Sequence, residues 1–200
     1  MPYIFQQIQD KAIKQGIGQQ DVADAREWFR DEARKINAAN PTRFMNDPSF
    51  KKENRLNLQS IGKMYMFFYD PKLKEQLPFY DTFPLVFPID FRPNGFLGIN
   101  LHYLPPLLRA RLMDNLYTIQ SSAKYNQNQQ LNLSYQMLSS AAKFRYFKPC
   151  VKHYLWQHVR SSFLNVDPSN WDMALMLPLE QFQKASKQQV WNESQKQFRR

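Results

Sequence analysis

The stretch that decides the fold is FPLVFPIDFRPNGFLGINLHY, residues 83–103. It holds two apolar segments of strand length, 83–89 and 96–103, on either side of the turn sequence RPNG at residues 92–95. Asn-Gly favours a turn because both residues accept a positive φ at low cost. The stretch therefore predicts an antiparallel hairpin, in which the prolines of the first segment restrict that strand to an edge or to strand ends.

Gly98 interrupts the second strand of this hairpin. The apolar residues of 96–101 do not alternate strictly around it, which indicates a bulge or a close backbone approach at Gly98. A bulge would restore a common face for Phe96 and the later apolar residues. We then expect Asn100 and His102 to point away from that face, towards a neighbour or water.

An aromatic segment at residues 61–69 predicts a third strand, and residues 61–104 are expected to form the fixed centre of the fold. The flanking sequence shows mainly helical periodicity. Helices are predicted over residues 3–15, 21–37, 105–119, 133–143, 150–164 and 179–198, a short strand over 171–177, and an irregular connection over 43–60.

This order of elements predicts an α+β fold, with a small antiparallel β-meander or half-barrel flanked by several α-helices. Residues 1–60 are predicted to be an N-terminal helical extension. Residues 61–200 are predicted to be a central α+β domain with C-terminal helices.

The chain is basic, with a formal net charge of +10 at pH 7. The excess is concentrated in residues 143–200, which contain ten basic and four acidic side chains. A basic surface attracts polyanions, and nucleic acid is the commonest of them. The alternative is docking onto an acidic protein neighbour.

Cations and aromatic residues alternate in the segment KFRYFKPCVKHYLW, residues 143–156. Lysine and arginine contact phosphates, and exposed rings stack on bases. The predicted polyanion- or partner-binding residues are Lys143, Arg145, Tyr146, Lys148, Lys152 and Arg160. In the alternative interpretation the rings belong to the core and the cations form its solvated rim.

No motif for enzymatic chemistry is present: the sequence has no phosphate-binding loop, dinucleotide motif, nucleophile elbow or zinc-ligand spacing. Cys150 lies three residues from His153, but a buried structural cysteine is far commoner than a catalytic pair. Asp70, Asp81 and Asp90 each lie beside a proline or turn, where capping explains them better than a nuclease metal does. We expect a non-enzymatic protein with no catalytic, cofactor-binding or metal-binding residues.

Two features bear on location. A single cysteine excludes a disulfide within the chain and fits a reducing cytosol. The sequence has no window of 18 apolar residues and no segment typical of a signal peptide, so no association with a membrane is expected.

Several longer motifs carry a resemblance to a known family. They are GKMYMFFYDPK (62–72), LPFYDTFPLVFP (77–88), GFLGINLHYLPP (95–106), LRA (108–110), LMD (112–114), FRYFKP (144–149) and WDMAL (171–175). The chain resembles small virion proteins of T4-like tailed phages, the myophages, some of which are described as DNA-end protectors. The resemblance covers about residues 62–193 and brings no catalytic residues with it.

The resemblance implies a phage particle protein made in the host cytoplasm, and it leaves two main hypotheses. The first is a structural component of the contractile tail, in the baseplate or hub, that contacts other virion proteins in a multi-subunit assembly. The second is a protein that binds double-stranded DNA at its ends and protects the packaged or injected genome, with phosphate contacts from the cations named above. A nuclease is a distant third.

Overall fold

A computed structural model describes residues 3–18, 23–120, 122–143 and 147–199. It has the predicted α+β fold. The helices are α1 (Ile4–Lys14), α2 (Ala23–Arg34), α3 (Pro41–Met45), α4 (Pro106–Gln120), α5 (Gln127–Lys143), α6 (Trp171–Met176) and α7 (Lys187–Arg199). The strands are β1 (Lys51–Glu53), β2 (Met64–Met66), β3 (Tyr80–Asp81), β4 (Leu85–Arg92), β5 (Gly95–Asn100), β6 (Val151–Leu155), β7 (Phe163–Val166) and β8 (Phe182–Gln183). Within the described ranges, no helix combines the length and apolarity needed to cross a bilayer.

Six of the strands form one open antiparallel sheet in the order β1-β7-β2-β4-β5-β6, and β3 pairs with β8 separately. The strands β2, β4 and β5 are neighbours at its centre, which confirms the predicted meander. β1 and β6 lie at the two edges of the sheet.

β4 and β5 form the predicted hairpin around the loop Pro93-Asn94. The edge position predicted from the prolines is wrong, because β4 lies between β2 and β5 inside the sheet. Pro88 is tolerated within β4 because it lies next to a register shift. The reason for Gly95 differs from the prediction, because this residue does not have a positive φ. A Cβ atom at Gly95 would lie 2.1 Å from the carbonyl oxygen of Tyr154 on β6. The glycine is therefore required by the close approach of the next strand, not by the turn.

The irregularity predicted at Gly98 is also present. A Cβ atom there would lie 2.3 Å from Cγ1 of Val86 on β4, so Gly98 marks a close approach. The pairing register shifts between Pro88 and Asp90, which leaves Ile89 as the extra residue. The bulge therefore lies on the facing strand, opposite the glycine.

The two faces of the sheet contribute to separate cores. One face packs against helices in the main core, through residues that include Met64, Met66, Leu85, Phe87, Ile99, Leu164 and Val166. The other face forms a smaller, mainly aromatic core with Tyr65, Phe67, Tyr69, Val86, Phe96, Tyr154 and Phe163, covered in part by Leu56, Phe91, Trp156 and Val159. Eight of the aromatic residues of the chain therefore pack together on this second face of the sheet.

The helix predicted over residues 150–164 is wrong, because this segment forms β6 and β7. Its apolar residues fit helical spacing, and residues 151–155, VKHYL, do not alternate strictly between apolar and polar, so the segment gives no clear strand signal. The strand forms because β5 offers an edge along which this segment pairs continuously, from Val151 opposite Ile99 to Leu155 opposite Gly95.

The strand predicted over residues 171–177 is wrong as well, because residues 171–176 form α6. All six residues of this helix are buried. A helix buried on every side shows no apolar periodicity, which is why its sequence suggested a strand. Asp167 caps the 3-10 turn of residues 168–170, which directly precedes α6, by accepting a hydrogen bond from the Ser169 N–H at 2.9 Å.

Three other predicted segments need correction. The last helix begins at Lys187 and not at residue 179, since Phe182–Gln183 form β8. Residues 43–60 are not wholly irregular, since they include most of α3 and all of β1. The helix predicted over 133–143 begins earlier, at Gln127. The Asn126 side chain accepts from the Gln129 N–H, and the Gln129 side chain accepts from the Asn126 N–H, both at 3.0 Å. This reciprocal capping offsets the weak helix propensity of the polar residues.

The N-terminal helices pack against the later part of the chain. Arg30 of α2 donates from Nε to Asp172 and from Nη2 to Asp114, both at 2.6 Å. Phe5, Phe44 and other residues of this region belong to the main core, and β1 pairs with β7. The division of the chain at residue 60 stays a prediction.

Candidate nucleic-acid interface

The cation and aromatic segment is divided between several elements. Lys143 is the exposed last residue of α5, and Lys148 is exposed in a short 3-10 turn before β6. Arg145 and Tyr146 lie outside the described residues. Phe147 packs against the main core, which agrees with the core interpretation for that ring.

Arg160 lies beyond the turn that follows β6, and it is exposed. Its Nη2 lies 3.7 Å from the Asp70 carboxylate, which Lys74 also contacts at 3.0 Å. The Asp70 carboxylate therefore offsets part of the positive charge that Arg160 was predicted to supply.

Lys152, on the edge strand β6, differs from these exposed cations. It is partly buried, and its Nζ lies 4.0 Å from the centre of the Tyr103 ring. Within the described part of the chain, no carboxylate forms an ion pair with it. Burial lowers the pKa of the Lys152 ammonium, because the charged form loses solvation. Lys152 is thus a cation held against a ring without a counter-charge.

Lys152 lines a pocket of about 330 Å³, which we call the Lys152 pocket. Its other lining residues are Tyr69, Pro71, Lys72, Leu73, Leu77, Phe79, Tyr80, Asp81, Asn100, Tyr103, Val151, His153, Tyr154 and Leu155. Among the described contact residues predicted from sequence, only Lys152 lines it. Lys72 and Tyr103 were not among the predicted contact residues, although both lie in motifs that carry the phage resemblance.

The edge of β6 forms one side of this pocket. All five residues of the strand, Val151–Leu155, line it. Because successive side chains of a strand point to opposite faces, a continuous run of lining residues means that the strand edge faces the pocket. The Leu155 N–H donates to the Tyr69 hydroxyl at 3.1 Å. The edge of β6 that does not pair with β5 therefore faces the pocket together with Lys152, and its Leu155 N–H is already engaged by Tyr69.

A buried polar network lies behind the pocket, centred on Asp81. Its Oδ2 lies 2.7 Å from His102 Nδ1 and accepts from Asn100 Nδ2 at 3.1 Å. Its Oδ1 accepts from the N–H groups of Phe83 at 3.1 Å and Gln181 at 3.3 Å. Burial raises the pKa of the Asp81 carboxyl, but the charge and hydrogen bonds of its neighbours outweigh burial and hold that pKa below its usual value.

This network corrects one prediction and extends another. Asn100 and His102 are fully buried and do not point towards water, because both donate to the Asp81 carboxylate. Asp81 does cap the local turn, as predicted, through the Phe83 N–H. Its contact with His102, 21 residues further along the chain, could not be read from sequence spacing.

Arg109 fixes the backbone next to Tyr103. It is 1% exposed and donates to the carbonyl oxygens of Leu104 at 2.7 Å, His102 at 3.2 Å and Leu175 at 2.8 Å. It also donates to Glu180 at 2.6 Å. The turn that presents the Tyr103 ring to Lys152 is therefore anchored from the core.

Lys184 holds the opposite wall of the pocket. Its Nζ donates to the carbonyl oxygens of Lys74, Glu75 and Leu77 at 2.7, 3.0 and 3.3 Å. Lys184 has a φ of 68°, a conformation that side chains other than glycine rarely adopt. The three hydrogen bonds offset this strain and connect the loop of residues 71–78 to the C-terminal part of the chain.

Cys150 is fully buried at the start of β6, and burial raises the pKa of its thiol to about 12. The side chain is therefore a thiol at neutral pH, not the thiolate that a nucleophile requires. In the ranges that the structure describes, no group of three or more His, Cys, Asp or Glu side chains is placed to hold a metal ion.

Comparison with known proteins gives a family match over nearly the whole chain. The model of the family described as Phage T4 terminal DNA protecting protein matches residues 5–197, and so includes the N-terminal region that the resemblance had left out. No curated protein and no solved structure matches the chain. The family description names DNA and no part of the tail, so the baseplate hypothesis gains no support. Its extent shows that the chain belongs to the T4 terminal DNA protecting protein family.

Proposed function

We propose that this protein binds the ends of linear double-stranded DNA and shields them from exonucleases. The observation that carries the proposal is the family match over residues 5–197, whose description names terminal DNA protection. This is the second of the two sequence hypotheses. The first, a structural part of the baseplate or hub, drew on the phage resemblance without any feature that favours a tail.

The charge of the chain supports binding to DNA. The net charge is +10, and two of the predicted contact residues, Lys143 at the end of α5 and Lys148 in the turn before β6, are exposed cations. Contacts with phosphates release counterions, so affinity should fall steeply as salt increases. Replacing Lys148 with glutamine should reduce the salt slope by about 1 if this lysine contacts a phosphate. The matched control is Lys14→Gln, at an exposed position at the end of α1.

Protection of DNA ends is the direct test. A linear duplex and the same DNA as a closed circle should be incubated with the protein and an exonuclease at low salt. We expect slower degradation of the linear form, and we expect the circle to compete poorly for the protein. Equal competition by the circle, or no protection at any protein concentration, would contradict the proposal.

We also propose that the protein acts by occupying the DNA end and not by catalysis. The thiol state of Cys150 supports this, because it removes the one candidate nucleophile that the sequence suggested. Incubation of labelled linear duplex with the purified protein and Mg²⁺ or Mn²⁺ should leave the DNA intact. Cleavage that a point variant abolishes would overturn this part of the proposal.

We also propose that the protein is present in the particle with the DNA, because a protein that protects packaged ends has to be where the genome is. Quantitative mass spectrometry of purified particles and of isolated tails tests this. We expect the chain in DNA-filled particles and not in isolated tails. A fixed copy number in isolated tails would favour the baseplate hypothesis instead.

A further inference from the structure

We propose that the Lys152 pocket holds the phosphorylated 5′-terminal nucleotide of a DNA end. This inference rests on the proposed binding of DNA ends, and it names the group that is recognised. The phosphate would contact Lys152 and Lys72, and the base would lie against the apolar wall formed by Leu73, Leu77 and Phe79.

The pocket is large enough for a single nucleotide and too small for double-helical DNA. Its volume of about 330 Å³ is at the lower end of the range for small-molecule sites. A duplex cannot enter it, so a nucleotide must leave its base pair first. Unpairing is easiest at the end of a duplex, where the terminal pair stacks on one neighbour only. The pocket is therefore accessible to ends before it is accessible to internal positions.

The charge of the pocket fits a phosphate. Lys152 has no carboxylate partner in the described chain, and Lys72, exposed at the rim, forms no ion pair there either. Asp81 also lines the pocket, but it is 4% exposed and both its oxygens accept hydrogen bonds from other residues. A terminal phosphate has more negative charge than an internal phosphodiester, and so gains more from a partly desolvated cation.

The apolar wall and the strand edge fit the rest of a nucleotide. Leu73 is 53% exposed, although it is a large apolar residue that lines the pocket. Phe79 and Tyr80 are partly exposed rings on the same wall and can contact a base face. β6 is an edge strand, so backbone groups that do not pair with β5 face away from the sheet, and those other than the Leu155 N–H can bond the sugar or the base. Rings, a cation and backbone donors are the combination that binds a single unstacked nucleotide.

The test uses duplexes closed by a hairpin loop at one end, with a 5′-phosphate or a 5′-hydroxyl at the open blunt end. The native protein should bind the phosphorylated end about tenfold more tightly, the usual gain from one charge-assisted contact. Lys152→Gln should remove this preference, whereas Lys14→Gln should retain it. Circular dichroism and thermal melting establish that both variants fold.

A second variant keeps the test valid if Lys152→Gln does not fold. Leu73→Ser changes an exposed residue of the apolar wall, and Leu107→Ser is its matched control, since Leu107 is 63% exposed on α4 and does not line the pocket. With 2-aminopurine as the 5′-terminal base, the native protein and Leu107→Ser should change its fluorescence on binding. Leu73→Ser should weaken that change.

The outcomes separate this inference from the proposed function. If open ends bind no better than a duplex closed by hairpins at both ends, the proposed function fails. If open ends are preferred but the phosphate makes no difference, the pocket proposal fails and the function stands. The pocket proposal also fails if Lys152→Gln keeps the phosphate preference, or if Leu73→Ser and Leu107→Ser behave alike.

Discussion

Two cations near Tyr103, Arg109 and Lys152, have different surroundings. Arg109, at 1% exposure, donates four hydrogen bonds, to three carbonyl oxygens and the Glu180 carboxylate. Lys152 is partly buried against the Tyr103 ring, without a carboxylate in the described chain to balance it. Arginine suits the first position because its planar guanidinium presents several donors in fixed directions.

The number of partners around each cation distinguishes a structural charge from a charge that is available to a ligand. Burial with a full set of partners makes removal costly and leaves nothing for another molecule. Burial without a counter-charge costs stability in the unbound protein, and an incoming anion can recover that cost. Substitutions around the two cations should therefore act in different ways, and four of them test the comparison.

The largest effect is expected for Arg109→Met. This change leaves the Glu180 carboxylate and three carbonyl oxygens without their donor, and loss of one partner of a buried ion pair typically costs about 3–5 kcal/mol. Urea unfolding should show a correspondingly lower midpoint, with Lys14→Gln as the unperturbed control. A loss below about 1 kcal/mol would mean that Arg109 is not the anchor described above.

Gly98→Val should have the next largest effect. Gly98 lies opposite Lys152 in the β5–β6 pairing, and a Cβ atom there would meet Val86 Cγ1 at 2.3 Å. Overpacking of this kind costs about 1–3 kcal/mol, measured as a shift of the thermal or urea midpoint. Unchanged melting would show that β4 and β5 are not packed as closely as the structure indicates.

Asp81→Asn tests the network between the two cations through its pH dependence. The pKa of Asp81 is below its ordinary value of 3.8 in the folded protein, so ionisation stabilises the fold. This contribution is complete above the ordinary pKa and is lost as the pH falls through the folded pKa. Native protein should therefore lose stability as the pH falls below about 4, and Asp81→Asn should flatten that part of the curve. Parallel curves for the two proteins would contradict the assignment.

Lys152→Met is expected to have the smallest effect on stability. The change removes a cation–ring contact but also removes an unbalanced, partly buried charge, so the two effects nearly cancel. The urea midpoint should correspond to a change of less than about 1 kcal/mol in either direction. If Lys152→Met lowered the free energy of unfolding as much as Arg109→Met does, Lys152 would be a structural residue like Arg109.

The parts of the fold that could be predicted from sequence are those with local signals. The hairpin of residues 83–103 combines strand-length apolar segments with a turn sequence, and the hairpin itself forms as predicted. The predicted edge position of its first strand is wrong, and residues 101–103 form a 3-10 turn instead of extending the second strand. β6 and α6 were mistaken because their identity depends on surroundings. β6 is a strand because β5 offers it an edge, and α6 lost its periodicity because it is buried on all sides.

The candidate site divides in the same way. Lys152 was selected because cations and rings alternate around it in the sequence. Lys72, Phe79 and Tyr103 were not selected, since only folding brings residues of three separate segments to one pocket. The contact between Asp81 and His102 was missed for the same reason, although both residues lie in the motifs that resemble the phage family.

The hydrogen bonds of Lys184 affect the rate at which a bound ligand would leave the Lys152 pocket. Three backbone carbonyls of the 71–78 loop accept hydrogen bonds from Lys184 in the unbound protein. Ligand binding then needs little additional ordering of this loop, so the entropic cost of binding is smaller than it would be for a flexible loop. Dissociation, in turn, does not require the loop to open, so the residence time of the ligand depends on its own contacts with the pocket.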